Sequence, residues 1–231
     1  MNNMKKRQAG FSLLEVMIAL AVMGMVLTGV VKIFTTTGRY HTSQEMMVEV
    51  MENVRGVQQL LTDEIRSAGC NPKGKRRIGF ELPPSVYAGD NRFDTDSDSI
   101  HFTRDIDNGD GDAIYEPDGD ADDPGENIGY YRGTTSSNVL PAGNTTPGTL
   151  YRVSFGVSGF NPQPVADNVT DLRFRYFDAT GTELLNPSTS TALDKIRTVE
   201  VTITGQVQNT VRVSAANRTW TQKFRIRIRN M

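Results

Sequence analysis

The sequence is poor in the residues on which enzymes and disulfide-rich domains depend. Its 231 residues include one cysteine, Cys70, and two histidines, His41 and His101. A single cysteine cannot form a disulfide within the chain, so Cys70 is either a buried thiol or pairs between chains. Neither histidine belongs to a recognisable catalytic motif in the sequence, and there is no glycine-rich phosphate loop, nucleophile elbow or Cys/His metal set. These absences argue against an enzyme.

Strong charge of either sign and a high apolar content are also lacking. The net charge is −2 and the hydrophobic fraction is 37%, so the overall charge does not indicate a nucleic-acid partner. Gly, Thr, Ser, Asn and Asp replace the missing apolar residues, mostly after residue 70. That composition predicts a β-rich, loop-rich domain on the exterior of the cell, at residues 71–231.

The chain does contain one long hydrophobic run. Residues 11–31 read FSLLEVMIALAVMGMVLTGVV, and as a helix they span the ~30 Å core of a bilayer. The basic residues Lys5, Lys6 and Arg7 precede the run, which predicts a cytoplasmic N-terminus. A secretory signal peptide would have a shorter apolar core. A plain signal anchor would not explain Glu15, because a carboxylate inside a membrane is costly.

The start of this run resembles the class III signal of type IV prepilins. The matching residues are Lys5-Lys6-Arg7-Gln8-Ala9-Gly10 followed by Phe11-Ser12-Leu13-Leu14-Glu15-Val16. The resemblance implies that prepilin peptidase removes residues 1–10 as a leader by cutting between Gly10 and Phe11, and that it N-methylates Phe11. It also implies that Glu15 docks against a neighbouring subunit. A buried carboxylate needs a cation or hydrogen-bond donors, and a neighbour's free amine supplies both.

The helical pattern continues beyond the membrane run. Apolar residues recur three and four positions apart, with no proline before Pro72. We expect one helix from Ser12 to Ala68, about 85 Å long, with a transmembrane half at residues 11–32 and an amphipathic half at 33–70. Its expected bending points are Gly24, Gly29 and Gly38. The charges interpreted as a solvated face are Asp63, Glu64 and Arg66.

The residues that close the predicted helix resemble the same stretch in PilW-like minor pilins. They run from Glu52-Asn53-Val54-Arg55 through Leu60 to Cys70. The J-class minor pseudopilins of type II secretion systems have a similar ending, so both families stay open. The resemblance implies an α+β type IV pilin fold, in which the long helix packs on an antiparallel β-sheet.

After Pro72 the pattern changes to short alternating runs with one apolar and one wet face, which predict strands of an antiparallel sheet. In one of these runs Val199, Val201 and Ile203 form the apolar face, and Glu200 is expected on the wet face. Residues 133–148 and 178–194 are interpreted as loops. The arginines of the last run are either an exposed edge or an interaction stripe for a neighbouring subunit. The predicted strands are Arg77–Leu82, Ser99–Thr103, Ile128–Arg132, Thr149–Phe155, Val169–Phe177, Ile196–Val207 and Thr219–Arg229.

An acidic loop at residues 94–123 is the chemically distinctive part of this domain. Oxygen ligands with glycine turns suit a hard cation such as Ca²⁺. With Asp105 at the first position of an EF-hand loop, the sixth position is Asp110 instead of glycine, so the register is off by one. A non-standard calcium loop and a disordered loop both stay open. The candidate ligands are Asp105, Asp107, Asp110, Asp112, Glu116, Asp118 and Asp120.

The resemblance implies a minor pilin that is processed by prepilin peptidase and that initiates or caps a type IV pilus. The alternatives are a minor pseudopilin of type II secretion and a calcium-dependent adhesin or binding module mounted on a pilin stalk. The expected partners are other major and minor pilins, prepilin peptidase and the inner membrane, without nucleic acid. The precursor is expected to cross the bacterial inner membrane once, before the mature chain occupies the periplasm or a surface pilus.

Overall fold

The computed structural model describes most of the chain. The described residues are 11–74, 78–81, 92, 94–107, 116–123, 125–156, 159–185, 187, 189–207 and 217–231. The predicted leader at residues 1–10 lies outside them. The prediction of a strand at Arg77–Leu82 is wrong for its described residues, 78–81, which form no strand; Phe80 makes only an isolated β-bridge with Phe102. The described elements form a long helix packed on an antiparallel sheet, which confirms the predicted α+β pilin architecture.

The long helix is α1, Leu13–Arg66, a continuous run of 54 residues. It passes through Gly24, Gly29 and Gly38 without interruption, so none of these glycines ends the helix. After Ser67, Gly69 adopts a left-handed φ of 74°, the conformation with which helices commonly end on glycine. The predicted helix, including its end near Gly69, is confirmed.

The two halves of α1 have different surroundings. Every residue from 11 to 42 is exposed. Beyond Ser43, one face of the helix packs on the sheet through Val54, Val57, Leu61 and Ile65, which are at most 2% exposed. Burying each such side chain stabilises the fold by about 1.5–3 kcal/mol. The amphipathic half therefore holds the domain to the helix, whereas residues 11–42 are exposed throughout.

The described strands form one seven-stranded antiparallel sheet. Its order is β1-β2-β3-β4-β6-β7, with the short β5 paired to β4. Helix α1 packs against β7, β6 and β4. The strands are β1 Ser99–Thr103, β2 Asn127–Gly133, β3 Gly148–Gly156, β4 Gly159–Phe177, β5 Glu183–Leu184, β6 Thr198–Val207 and β7 Arg218–Arg227.

Strand β4 joins the two parts of the sheet. Its first half pairs with β3 as far as Val169, and from Val169 onward it pairs with β6. The sequence predicted only the second half, as Val169–Phe177. The helix comes closest to the sheet at Gly205 of β6, where a Cβ atom would lie 2.6 Å from the side chain of Val50.

The predicted alternation on the last strands is confirmed for the apolar residues but wrong for Glu200. Val199, Val201 and Ile203 are fully buried, yet Glu200, expected on the wet face, is only 3% exposed. Arg175, Lys223 and Arg225 cover its carboxylate, each with a nitrogen 2.8 Å from an oxygen. Burial acts to raise the pKa of Glu200, but these hydrogen bonds outweigh it and lower the pKa to about 2.

The predicted loop 178–194 contains two short elements, β5 and the one-turn helix α2 (Ser190–Leu193). The Oγ1 atom of Thr189 accepts a hydrogen bond from the backbone N–H of Ala192 and caps α2. Leu193 and Ile196 anchor the segment because both are fully buried. The turn-rich composition predicted a loop here, because each of these elements is too short to show a helical or strand periodicity in the sequence.

Candidate functional site

The first candidate site is the start of α1. Phe11 is 88% exposed at the beginning of the described chain. The backbone N–H of Ser12 donates to Oε2 of Glu15 over 3.0 Å, so the carboxylate lies at the helix N-terminus, where negative charge is favoured. Gly10 lies outside the described residues. Glu15 thus faces the end of the chain at which the sequence predicts the cut.

The apolar half of α1 surrounds this carboxylate with exposed hydrophobic side chains. By length and composition the helix is able to cross a membrane. Large exposed apolar patches mark sites that contact a membrane or another protein. The exposed large hydrophobic residues of this half are Phe11, Leu13, Leu14, Val16, Met17, Ile18, Leu20, Val22, Met23, Met25, Val26, Leu27, Val30, Val31, Ile33 and Phe34.

A buried ionic cluster joins the second half of α1 to the sheet. Glu64 accepts hydrogen bonds from Nε of Arg152 at 3.1 Å and from its Nη2 at 2.7 Å. The hydroxyl of Tyr130 donates to Glu64 Oε2, and Nη2 of Arg104 lies 3.8 Å from Oε1. The interpretation of Glu64 as a solvated residue is therefore wrong, because its side chain lies on the buried face.

Burial and the neighbouring Glu64 together keep the phenol of Tyr130 protonated. Burial raises the pKa of Tyr130 far above its usual value, and the neighbouring carboxylate raises it further, so the phenol stays a donor. A sequence signal was present: Glu64 follows Leu61 by three positions and precedes Ile65, within the apolar spacing. The cluster is a structural clamp between helix and sheet.

The structure describes part of the acidic loop, and the described residues do not follow the EF-hand alignment. Asp110 and Asp112 lie outside the described residues, and Glu116 is exposed. Asp107, Asp118 and Asp120 are partly buried. Within the described ranges, no group of three or more His, Cys, Asp or Glu side chains is arranged to hold a metal ion.

Asp105 is the exceptional member of this loop. It is fully buried, and neither of its carboxylate oxygens has a hydrogen-bond partner. Its backbone N–H donates to the carbonyl of Cys70 over 2.8 Å, which ties the loop to the end of α1. Burial and then the Asp105 charge raise the pKa of the Cys70 thiol. Cys70 is a partly buried free thiol.

Two further carboxylates near this loop were not among the predicted ligands. Glu126 is fully buried; its Oε1 accepts from the N–H groups of Ile106 and Asp107 at 2.6 and 2.9 Å, but its Oε2 has no partner. Oδ2 of Asp123 is also buried without a partner. Burial, followed by the charges of surrounding aspartates including Asp105, raises the pKa of Asp123. The EF-hand alignment stopped at Glu116 and so missed both residues.

The comparisons with known proteins concern the first candidate site, at the start of α1. Residues 5–31 match the family described as the prokaryotic N-terminal methylation motif. The chain is also similar to the pilin-like protein PilA3 of Thermus thermophilus, with 27% identity over 99 residues. This similarity covers 42% of the chain and 42% of that protein, so the chain spans less than half the length of this curated relative.

Proposed function

We propose that this chain, a type IV prepilin-family protein by its methylation motif and pilin-like architecture, is a minor pilin. Prepilin peptidase cuts it between Gly10 and Phe11, N-methylates Phe11, and the mature chain initiates or caps a type IV pilus. The observation that carries the proposal is a fully exposed apolar half-helix that follows a prepilin signal and contains a single carboxylate, Glu15.

The exposed half-helix supports assembly with other subunits. Its apolar surface needs an apolar environment, which the inner membrane supplies to the precursor and neighbouring pilin helices supply to the filament. Glu15 needs a positive partner once water is excluded. The free amine at Phe11 of a neighbouring mature subunit has the required charge. This role is structural, without chemistry at the described residues.

The choice of a minor subunit rests on the end of the long helix. The helix ending at residues 52–70 resembles PilW-like minor pilins, and Cys70 forms no disulfide within the chain, whereas a disulfide loop is common in major pilins. The J-class pseudopilins share this ending, so a subunit of a type II secretion pseudopilus is the alternative. Either subunit would begin as a single-pass inner-membrane precursor.

Substituting Gly10 tests the proposal directly. In the host cell, we expect Gly10→Leu to accumulate as the uncut precursor in the membrane and to be absent from filaments sheared off the surface. Gly38→Ala is the matched control, because Gly38 lies in open space on the helix and its variant should be processed normally. Immunoblots of the membrane and sheared fractions give the readout. Normal processing of Gly10→Leu contradicts the proposal. If the wild-type chain is processed but is absent from sheared filaments, the result favours the pseudopilus.

We also propose a divalent-cation site, such as one for Ca²⁺, at the acidic loop. The four buried, unpartnered oxygens of Asp105, Asp123 and Glu126 support it. Buried carboxylates without donors are costly, and a hard cation bound by oxygen ligands removes that cost. The three side chains do not form a complete coordination shell as they stand, so binding would draw them together. This would be the calcium site of the alternative function, a calcium-dependent binding module on a pilin stalk.

Calcium is expected to stabilise the domain through these carboxylates. At a Ca²⁺ concentration of 100 times Kd, the gain in unfolding free energy is about 2.7 kcal/mol. The test measures Tm of the full chain in detergent with Ca²⁺ and with a chelator. The double variant Asp105→Asn, Glu126→Gln should lose the response, whereas Asp122→Asn, which removes an exposed charge of the same segment, should keep it. A wild-type Tm that is equal in both buffers refutes the site.

A further inference from the structure

A cavity lined by four arginines lies where the end of α1 meets the end of β7. Its volume is about 890 Å³. Two of the arginines, Arg227 and Arg229, are exposed, and the other two are half-buried. The arginines are Arg66, Arg197, Arg227 and Arg229, and we call their cavity the arginine cavity.

The backbone holds these four side chains close to one another. The N–H of Arg229 donates to the carbonyl of Arg66 over 3.3 Å, and the N–H of Ile228 donates to the carbonyl of Arg197 over 3.1 Å. Helix α1, β7 and the segment before β6 are therefore joined at the cavity. Because the fold itself brings the arginines together, their clustering does not depend on chance side-chain positions.

The arginine cavity has little compensating negative charge. Asp178 is the acidic residue among its described lining residues. The Asp178 Oδ1 atom already accepts hydrogen bonds from the N–H and hydroxyl of Thr180 and from the N–H of Thr182, at 2.7–2.9 Å. These bonds, that of the Thr180 hydroxyl first, lower the pKa of Asp178. One oxygen of its carboxylate is thus occupied by hydrogen bonds within its own turn.

Three arginines elsewhere in the domain form close ion pairs. Arg152 bonds to Glu64, and Arg175 and Arg225 bond to Glu200. Among the described residues, by contrast, no carboxylate forms an ion pair with the guanidinium groups in the arginine cavity. Guanidinium groups recognise carboxylates through paired, parallel hydrogen bonds. Nη1 of Arg197 already donates to the carbonyls of Asp194 and Ile196 at 2.7 and 2.9 Å, so the cavity offers donors of this kind chiefly through its other arginines.

The position of the arginine cavity favours a protein ligand over a lipid. Arg66 follows the last apolar residue of the membrane run, Val31, by 35 positions along one continuous helix, a distance of about 50 Å. The arginine cavity is therefore far from the lipid headgroups that a bilayer around residues 11–31 would present. In a filament, neighbouring exported domains would lie at this level.

We propose that the arginine cavity docks an acidic segment of a neighbouring filament subunit. The inference rests on the proposed function and names the chemistry of the partner: a loop with closely spaced aspartates or glutamates that form bidentate bonds to the guanidinium groups. The segment at residues 116–123 of this chain has that chemistry. Charge complementarity of this kind fixes the register between subunits more than it adds affinity.

A peptide of residues 116–126 is the probe, with its aspartates and glutamates changed to their amides as a negative control. We expect the full chain in detergent to bind the acidic peptide in a salt-sensitive manner. Arg229→Glu should weaken binding at least tenfold. Arg218→Glu is the matched control, since Arg218 is an equally exposed residue at the opposite end of β7, and it should change binding less than twofold. Both variants should keep the wild-type Tm.

Three outcomes overturn the docking proposal. They are no binding of the acidic peptide, equal losses in Arg229→Glu and Arg218→Glu, or preferential binding of phosphatidylglycerol vesicles that Arg229→Glu abolishes. The peptide assay is independent of filament assembly. A wild-type chain that binds the peptide but never enters filaments would refute the proposed function while leaving the arginine cavity as a carboxylate site.

Discussion

Replacing Glu64 with alanine is expected to destabilise the exported domain by about 3–5 kcal/mol, the usual effect of removing one partner from a buried ion pair. Arg152 would lose its bidentate partner, and the Tyr130 hydroxyl would lose its acceptor. Arg104 would lose the neighbouring negative charge. Since whole domains are stable by only about 5–15 kcal/mol, this loss would leave the helix weakly held to the sheet.

Urea unfolding of the detergent-solubilised chain, followed by circular dichroism, measures this effect. Asp63→Ala is the matched control, because Asp63 is the adjacent acidic residue on the exposed face of the same helix turn. It should change the unfolding free energy by less than about 0.5 kcal/mol. If Glu64→Ala does not fold, Glu64→Gln supplies a second reading, since it keeps the volume and one acceptor. Equal stabilities of the Glu64 and Asp63 variants would show that the cluster is not a clamp.

Replacing Glu15 with leucine is expected to reduce filament incorporation by at least tenfold while leaving membrane insertion intact. The substitution removes the single charged side chain of the membrane run at residues 11–31, which favours insertion. It also removes the carboxylate that accepts the N–H of Ser12 and that, in our proposal, attracts the amine of a neighbouring subunit. The unpaired amine of that neighbour would then be buried among apolar helices, at a cost of several kcal/mol.

The amount of mature chain in sheared filaments, relative to that in the membrane, gives the readout. Thr28→Leu is the control, because it removes another polar side chain from the same exposed apolar half, and it should assemble normally. Glu15→Gln separates charge from hydrogen bonding: it keeps an acceptor but not the charge, and we expect it to assemble as poorly as leucine. Normal assembly of both Glu15 variants would refute the docking role.

The helix and most of the sheet were predictable because both have a strong period. The first half of β4 was missed since Pro162 and Pro164 lie in it, and proline cannot donate a hydrogen bond within a sheet. The structure explains why it is tolerated: residues 159–168 pair with β3, whereas β6 pairs with β4 only from Val169 onward. The prolines thus occupy an edge.

The charged residues were less predictable than the apolar ones. Glu64 and Glu200 look like solvated residues in the sequence, because their partners are far away along the chain, at Arg152 and Arg225 for example. Local patterns do not encode such pairings. The acidic loop shows the same limit. Composition located it, but the burial of the Asp123 and Glu126 oxygens depends on contacts between residues far apart in sequence, such as the N–H of Ile106 with Glu126.

The N-terminus of the mature chain tests the central claim most directly. Intact-mass and peptide mass spectrometry of the protein from its host should show a chain that begins at Phe11, with one methyl group on its α-amine. This result is expected because residues 5–31 match the prokaryotic N-terminal methylation motif and the Gly10–Phe11 junction lies within them. A mature chain that begins at any other residue, or an unmethylated Phe11, would contradict the proposal that this chain is a processed pilin.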